Sequence, residues 1–281
     1  MMDFIARFSA NASKSRQATS RKKALEKLNL EEMQISMRRY PYIAFKPERD
    51  PGDVILEVEN LSKKNEAGEY LFQNLYLRFN KGEKIAVLSR NASAITALFN
   101  ILAGEDTAYE GSFQYGQTIS PQYLPNDNSA YFSGDQDMNL IEWLRQFSKE
   151  KDESFIRGFL GRMLFGGEEV FKRSGVLSGG EKVRCMMSKI MLANPNFLIL
   201  DEPTNHLDLE SITALNNGME EFTGNILFTS HDYQILDSVA NRIIEITPNG
   251  LIDQYMTYGE YLHSDKVLNM KARMYEDALM A

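Results

Sequence analysis

Short apolar runs alternate with amphipathic segments through residues 49–281, and this alternation predicts the order of strands and helices. Apolar runs of strand length lie at residues 54–58, 71–79, 84–88, 197–200, 225–229 and 242–246. Helical spacing of apolar residues lies at 96–102, 139–147, 153–164, 181–192, 209–222, 233–239 and 258–280. Strands and helices of these lengths predict an α/β domain whose mainly parallel sheet is covered on both faces.

Two carboxylates, Asp201 and Glu202, directly follow the buried strand predicted at residues 197–200. Parallel sheets present their ligand-binding groups at the carboxyl ends of the strands. At such a position Asp201 would hold a Mg²⁺ ion, and Glu202 would polarise an attacking water molecule. The sequence therefore predicts hydrolytic chemistry at this edge of the sheet.

A Ser-Gly-Gly sequence precedes the helix predicted at residues 181–192. Backbone N–H groups without side chains, at the positive end of a helix, form a site for an anion. The residues that we assign to nucleotide contact here are Leu177, Ser178, Gly179, Gly180 and Glu181. This motif and the later acid pair together resemble the signature and Walker B sequences of ATP-binding cassette (ABC) ATPases.

The resemblance implies a phosphate loop of pattern G-x-x-x-x-G-K-[ST] between strand 84–88 and helix 96–102. The residues at this place are Ser89, Arg90, Asn91, Ala92, Ser93, Ala94, Ile95 and Thr96. The spacing is that of the motif, but Ser89 and Ala94 replace glycines. A Cβ resists the positive φ angles and the close approach to phosphate that this loop requires. Ile95 replaces the lysine, and the lost phosphate contact costs about 2 kcal/mol or more.

What remains of the loop supports two interpretations. The Thr96 hydroxyl can still be offered to Mg²⁺, and Arg90 can contribute positive charge. Alternatively, the loop is only a turn between a strand and a helix and holds no nucleotide. We predict a degenerate Walker A loop that binds ATP weakly.

Three further site residues are implied by the ABC resemblance. His231 follows strand 225–229, where the family's histidine contacts the γ-phosphate, and Asp208 belongs with the nucleotide contacts. Asn126 stands where a glutamine usually reaches Mg²⁺ and water, on a side chain one methylene shorter. The resemblance also implies a helical subdomain at about residues 132–176, and ATP and Mg²⁺ as cofactors.

The charge of the chain is divided between an arm and a body. Prolines and glycine at residues 41–52 place a boundary near residue 48. Residues 1–46 carry a charge of +6, although the whole chain carries −8. We therefore predict a basic helical arm at 1–48 that meets a polyanion, followed by the cassette at 49–281 with its helical tail. The residues that we expect to contact RNA are Lys14, Arg16, Arg21, Lys22 and Lys23.

Composition favours a cytoplasmic globular protein. The single cysteine, Cys185, excludes a disulfide framework and suits a reducing compartment. No segment approaches the roughly 20 apolar residues of a membrane span.

The sequence Thr204-Asn205-His206-Leu207-Asp208 and the arm resemble the ABC-F family, in particular its YbiT-like subgroup. The family joins two cassettes by a linker and acts on the ribosome, so the resemblance implies rRNA and tRNA as partners. It also implies that this chain is the C-terminal half of a longer protein, or a truncated gene product, and that a second cassette, from the missing N-terminal half or from a second copy of the chain, completes the ATP sites. Two alternatives stay open: the nucleotide-binding subunit of a transporter, and an interaction module without ATPase activity.

Overall fold

The computed structural model describes residues 39–133 and 138–275. The chain divides into two units, at residues 1–40 and 41–281, and the second unit contains the predicted cassette. The five basic residues predicted to contact RNA lie outside the described residues, as does nearly all of the predicted arm.

A six-stranded sheet forms the centre of the second unit, in the order β5-β6-β7-β3-β8-β9. The pairs from β5 to β8 are parallel, and β8 and β9 form an antiparallel edge. Its strands are β3 (Lys84–Ser89), β5 (Pro121–Leu124), β6 (Phe197–Asp201), β7 (Asn225–Thr229), β8 (Arg242–Thr247) and β9 (Gly250–Gln254). The predicted α/β class with a mainly parallel sheet is confirmed.

A smaller antiparallel sheet has the order β2-β1-β4. Its strands are β1 (Leu56–Lys64), β2 (Tyr70–Phe79) and β4 (Glu110–Tyr115). One hydrophobic cluster joins this sheet to one face of the central sheet, through side chains such as Phe79 and Phe197, whose rings meet edge to face at 6.1 Å. The second sheet therefore covers a face of the first, because both would otherwise expose apolar surface.

Helices cover the remaining surface of the central sheet. They are α1 (Ala92–Ala103), α2 (Leu140–Phe147), α3 (Glu153–Arg162), α4 (Gly179–Ala193), α5 (Leu209–Glu221), α6 (Tyr233–Val239), α7 (Tyr258–His263) and α8 (Asp265–Tyr275). Helices α2 and α3 lie in the predicted helical subdomain, with short 3₁₀ turns at Ser129–Phe132, Gly167–Phe171 and Ser174–Val176. Within the described ranges, no helix combines the length and apolar character needed to cross a bilayer.

Residues 41–48 pack on the cassette, although we assigned them to the arm. The Tyr42 N–H donates to the carbonyl oxygen of Arg162 at 2.8 Å, and the Glu48 N–H donates to that of Asn194 at 3.0 Å. Ile43 and Phe45 are buried, the latter against Phe222 with ring centroids 6.0 Å apart. Prolines stop the helical pattern here, but apolar side chains between them join the core, so the observed division lies at Tyr40 and not near residue 48.

Candidate nucleotide site and signature helix

The side chains predicted to hold Mg²⁺ meet at the carboxyl ends of β3 and β6. The Thr96 hydroxyl donates to Asp201 Oδ2 at 2.8 Å, and Asp201 is only 2% exposed. Burial raises the pKa of the Asp201 carboxyl, and the hydrogen bond from Thr96 only partly offsets this. A hydroxyl and a carboxylate side by side are the oxygen ligands that Mg²⁺ prefers, so this pair fits the ion.

Glu202 and His231 meet above this pair, after β6 and β7. The Glu202 carboxylate accepts from the His231 backbone N–H at 3.2 Å, and His231 Nε2 lies 3.4 Å from Glu202 Oε1. Burial raises the pKa of Glu202, and His231 opposes the rise. Glu202 has φ of 49°, a left-handed conformation that costs a non-glycine residue about 1–3 kcal/mol. The fold therefore aims this carboxylate at the site at some cost in stability.

Asn126 also faces this site, but its amide already has a partner. Its Oδ1 accepts a hydrogen bond from Asn205 Nδ2 at 3.1 Å. The amide oxygen that we assigned to Mg²⁺ is thus engaged by a neighbouring side chain. Asn126 would have to exchange this contact in order to serve as a ligand.

These groups line one cleft of about 460 Å³. The predicted residues in its wall are Ser89, Arg90, Ala92, Ile95, Thr96, Asn126, Asp201, Glu202 and His231. Other wall residues belong to no motif and were not predicted, including Tyr258 of α7, Lys271 of α8 and Glu245 of β8. Their approach could not be foreseen because it depends on where the last two helices pack, which no motif in the sequence specifies.

The phosphate loop has become the beginning of a helix. Helix α1 starts at Ala92, four residues before the predicted start, and Asn91 caps it by accepting from the Ser93 N–H at 3.1 Å. The Ala94 N–H donates to the Asn91 carbonyl oxygen, and the Asn91 N–H donates to the Ser89 hydroxyl. Three N–H groups that a phosphate loop would turn toward its ligand are thus used internally. In this structure the loop therefore provides partners for its own N–H groups.

Ala94 is packed in the core, and Ile95 lies between the core and the wall of the cleft. Ala94 is fully buried and Ile95 is 6% exposed, and both belong to the hydrophobic cluster beneath the small sheet. The position that carries lysine in the motif has become a core position here. A buried apolar side chain thus stands where the motif places the charge of a lysine.

The start of α4, unlike that of α1, is a complete capping box. Ser178 Oγ accepts from the Glu181 N–H at 3.3 Å, and Glu181 Oε2 accepts from the Ser178 N–H at 2.8 Å. Lys172 Nζ donates to the other carboxylate oxygen of Glu181 at 2.7 Å. Burial alone would raise the pKa of Glu181, but the Lys172 and Ser178 contacts outweigh it and lower the pKa to about 2. Glu181 thus stays ionised and holds the helix start in place.

The two glycines after Ser178 are required by packing as well as by access to the backbone. A Cβ on Gly179 would lie 2.9 Å from the His206 ring, and one on Gly180 would lie 2.6 Å from the His206 carbonyl oxygen. The loop after β6 therefore presses against the start of α4. This contact explains the glycines independently of any ligand.

The signature residues 177–181 and Asp208 do not line the cleft that holds Asp201 and Glu202. Asp208 caps α5 by accepting from the Ser211 N–H at 2.8 Å, a bond that lowers its pKa. Two neighbours of these motifs are apolar and exposed, Val176 at 71% and Leu209 at 74%. The cassette thus has two separate sets of candidate residues, one in the cleft and one on the surface around the start of α4.

Comparison with family models supports the interpretation of these motifs. Residues 72–205 match a model described as ABC transporter, and residues 1–45 match a second model with the same description.

Three curated relatives align with nearly the whole chain. The ABC transporter ATP-binding protein YkpA of Bacillus subtilis is 56% identical over 99% of this chain and 51% of its own length. The ATP-binding protein YbiT of Escherichia coli O157:H7 is 42% identical over 94% of this chain and 49% of its own length. ABC transporter F family member 5 of Arabidopsis thaliana is 31% identical over 98% of this chain and 40% of its own length. The chain spans about half the length of these relatives, or less.

Two solved structures share the fold at low sequence identity. A metal-chelate type ABC transporter in an inward-facing conformation superposes with a TM-score of 0.60 and 20% identity, over 79% of this chain and 89% of its own. The dimeric cassette MJ0796, bound to ADP and Pi, superposes with a TM-score of 0.59 and 18% identity, over 72% of this chain and 99% of its own.

Proposed function

We propose that the chain, whose residues 72–205 match an ABC transporter model and whose fold resembles that of the cassette MJ0796, serves as one cassette of an ABC-F type ATPase. In this proposal it completes an ATP site of a second cassette and corresponds to the C-terminal half of proteins such as YkpA and YbiT. The alignment of nearly the whole chain with about half of each of these relatives supports this assignment.

The observation that carries the proposal is the intact start of α4. Ser178 and Glu181 each accept from the backbone N–H of the other, and the N–H groups of Gly179 and Gly180 lie in the first turn of α4, where a helix offers no acceptor of its own. Two free N–H groups at a positive helix end suit the γ-phosphate of an ATP molecule held by another cassette. The dimer of MJ0796 with ADP and Pi provides a precedent, within this fold, for two cassettes meeting around nucleotide.

The chain's own nucleotide site is weak in this proposal. Thr96 and Asp201 fit Mg²⁺, and Glu202 with His231 suits the activation of water. The loop that would hold the phosphates instead uses its N–H groups for its own cap. We therefore expect the chain alone to turn over ATP far more slowly than about 1 s⁻¹, the lower end of the usual enzyme range.

Substitution of Ser178 by Arg tests the proposal when a complementary cassette, the other half of YkpA, is supplied. The added side chain fills the anion site, so we expect hydrolysis by the mixture to fall about 10²-fold. Asp152→Arg is the control, because the Asp152 side chain also caps a helix, α3, by accepting from the Ser154 and Phe155 N–H groups, and it does not line the cleft. Glu202→Gln should have the smaller effect, since it serves the weak site.

The ranking of these variants decides between functions. If Glu202→Gln stops hydrolysis while Ser178→Arg does not, the cleft with Ile95 is the working site and the proposal is wrong. If no mixture hydrolyses ATP above the level of the chain alone, the alternative of an interaction module without ATPase activity is favoured.

We also propose that the basic arm binds RNA on the ribosome, in the cytoplasm. The support is the resemblance to ABC-F proteins and the acid-free run that holds Lys14, Arg16, Arg21, Lys22 and Lys23.

Replacing all five by Gln should weaken ribosome co-sedimentation and reduce its salt dependence, by up to about 0.7–0.9 in slope for each lost phosphate contact. A control variant with five Lys→Gln changes at residues 63, 64, 81, 149 and 151 of the cassette should leave the slope unchanged. An unaltered slope in the arm variant would remove the arm from RNA binding.

A further inference from the structure

The C-terminal helix α8 contacts the degenerate phosphate loop directly. The Arg90 guanidinium lies over the Tyr275 ring, 3.7 Å from its centroid, and Tyr275 is 6% exposed. The cation of the loop is thus engaged by a side chain of the same protein.

A buried carboxylate fastens this helix beside the loop. Glu245 of β8 pairs with Leu88 of β3, immediately before the loop. Its Oε1 accepts from the Tyr275 hydroxyl at 2.8 Å, and its Oε2 accepts from Lys271 Nζ and from the Tyr261 hydroxyl, both at 2.7 Å. Burial and the nearby Glu245 charge raise the pKa of Tyr275 and of Tyr261, so both remain donors at neutral pH.

These contacts provide hydrogen-bond donors for the buried carboxylate of Glu245. A buried carboxylate without donors is costly, and here two tyrosines and one lysine satisfy it. Val267 of α8 is fully buried, which adds an apolar anchor to the polar ones. Helix α8 is therefore held by several independent contacts, of which Tyr275 is the one that reaches the loop.

We propose that docking of α8 and nucleotide binding in this cleft compete for the same group of the loop. Tyr275 takes the guanidinium of Arg90, the group that a phosphate would otherwise use. The helix acts as an internal occupant of the phosphate loop and keeps this cassette empty of nucleotide. The inference deepens the proposed weakness of the chain's own site, but it does not depend on the signature helix or on a second cassette.

The test uses the full chain with Mg-ATP as the probe, and measures both ATP binding and hydrogen exchange of α8. Tyr275→Ala should raise the affinity for Mg-ATP about tenfold, the effect of one freed charge-assisted contact. It should also raise amide exchange in residues 265–275. Leu268→Ala is the control, because Leu268 lies on the exposed side of the same helix; it should change neither quantity.

A second variant separates competition from simple damage to the fold. Arg90→Ala removes the same stack from the loop side, so α8 should exchange faster, but the affinity for Mg-ATP should not rise because the cation is gone. Competition is also reciprocal, so saturating Mg-ATP should speed exchange of α8 in the unmodified chain. Unchanged affinity in Tyr275→Ala, or full protection of α8 with ATP bound, would overturn the proposal. Neither result would affect the Ser178→Arg test.

Discussion

Helices α1 and α4 both begin with a capped N-terminus, but the two ends differ in how many of their groups are available to a ligand. Helix α1 begins with Ala92 behind the Asn91 cap, and its next residues, Ala94 and Ile95, are buried. Helix α4 begins with Gly179 behind the Ser178 cap, on the surface and outside the cleft. Each start has the positive dipole end that attracts anions. The difference lies in whether the neighbouring N–H groups and side chains already have partners within the protein.

At each of these two helix starts, the identity of the motif residue goes together with the way in which its position is packed. In α1, Ile95 contributes to the hydrophobic cluster under the small sheet, so the position faces the core. In α4, the glycines are kept by contact with His206 as well as by their bare backbone. The start of α4 is thus maintained by two physical requirements, whereas nothing in the packing of α1 requires a glycine or a lysine.

The sharpest test of this difference restores the lysine alone. Ile95→Lys should destabilise the cassette by about 3 kcal/mol or more, because it removes a buried apolar side chain and forces a charge to leave the core. Ser93→Lys, at an exposed position of the same helix turn, should cost less than about 1 kcal/mol. Denaturant unfolding measures both. Equal stability of the two variants would show that position 95 can turn toward the cleft without cost.

The next test disturbs the other helix start. Gly180→Ala places a Cβ 2.6 Å from the His206 carbonyl oxygen, so the start of α4 must shift. With a complementary cassette present, we expect hydrolysis to fall about 10²-fold, as when one transition-state donor is lost. Gly161→Ala in α3 is the control, since a Cβ there meets open space. Full activity of Gly180→Ala would mean that the start of α4 is not used in hydrolysis.

The smallest expected effect concerns the buried acid beside α1. The folded-state pKa of Asp201 lies above its unfolded value, so its contribution to stability is present below the unfolded pKa and is lost as the pH rises through the folded pKa. Asp201→Asn should therefore raise the melting temperature at neutral pH without Mg²⁺, by about 1–4 °C.

The gain should disappear below about pH 4, the ordinary range of an aspartic acid, where the wild-type side chain is itself neutral. Asp53→Asn, at an exposed position, is the control and should have little effect at either pH. A lower melting temperature for Asp201→Asn at pH 7 would mean that the Thr96 contact outweighs the cost of burying the charge.

The sequence by itself determined the α/β class, most of the strands and helices, though not the edge strand β9, and the main chemical groups of the cleft. This was possible because periodicity reports burial along each element, and because Asp201, Glu202 and His231 directly follow buried strands whose carboxyl ends share one edge of the sheet. It also predicted a helix after the Ser-Gly-Gly sequence, although α4 begins at Gly179, two residues before the predicted start, with Ser178 as its cap.

Only the tertiary structure decided how the loop at residues 89–96 is used. The sequence showed that Ile95 replaces a lysine, but not that the helix begins at Ala92 or that the loop's N–H groups cap it. It also contained no sign that Tyr275 reaches Arg90, because the two residues are brought together by β8 and Glu245 and not by any pattern. Contacts between residues far apart in the chain depend on packing, and packing leaves no periodic trace in the sequence.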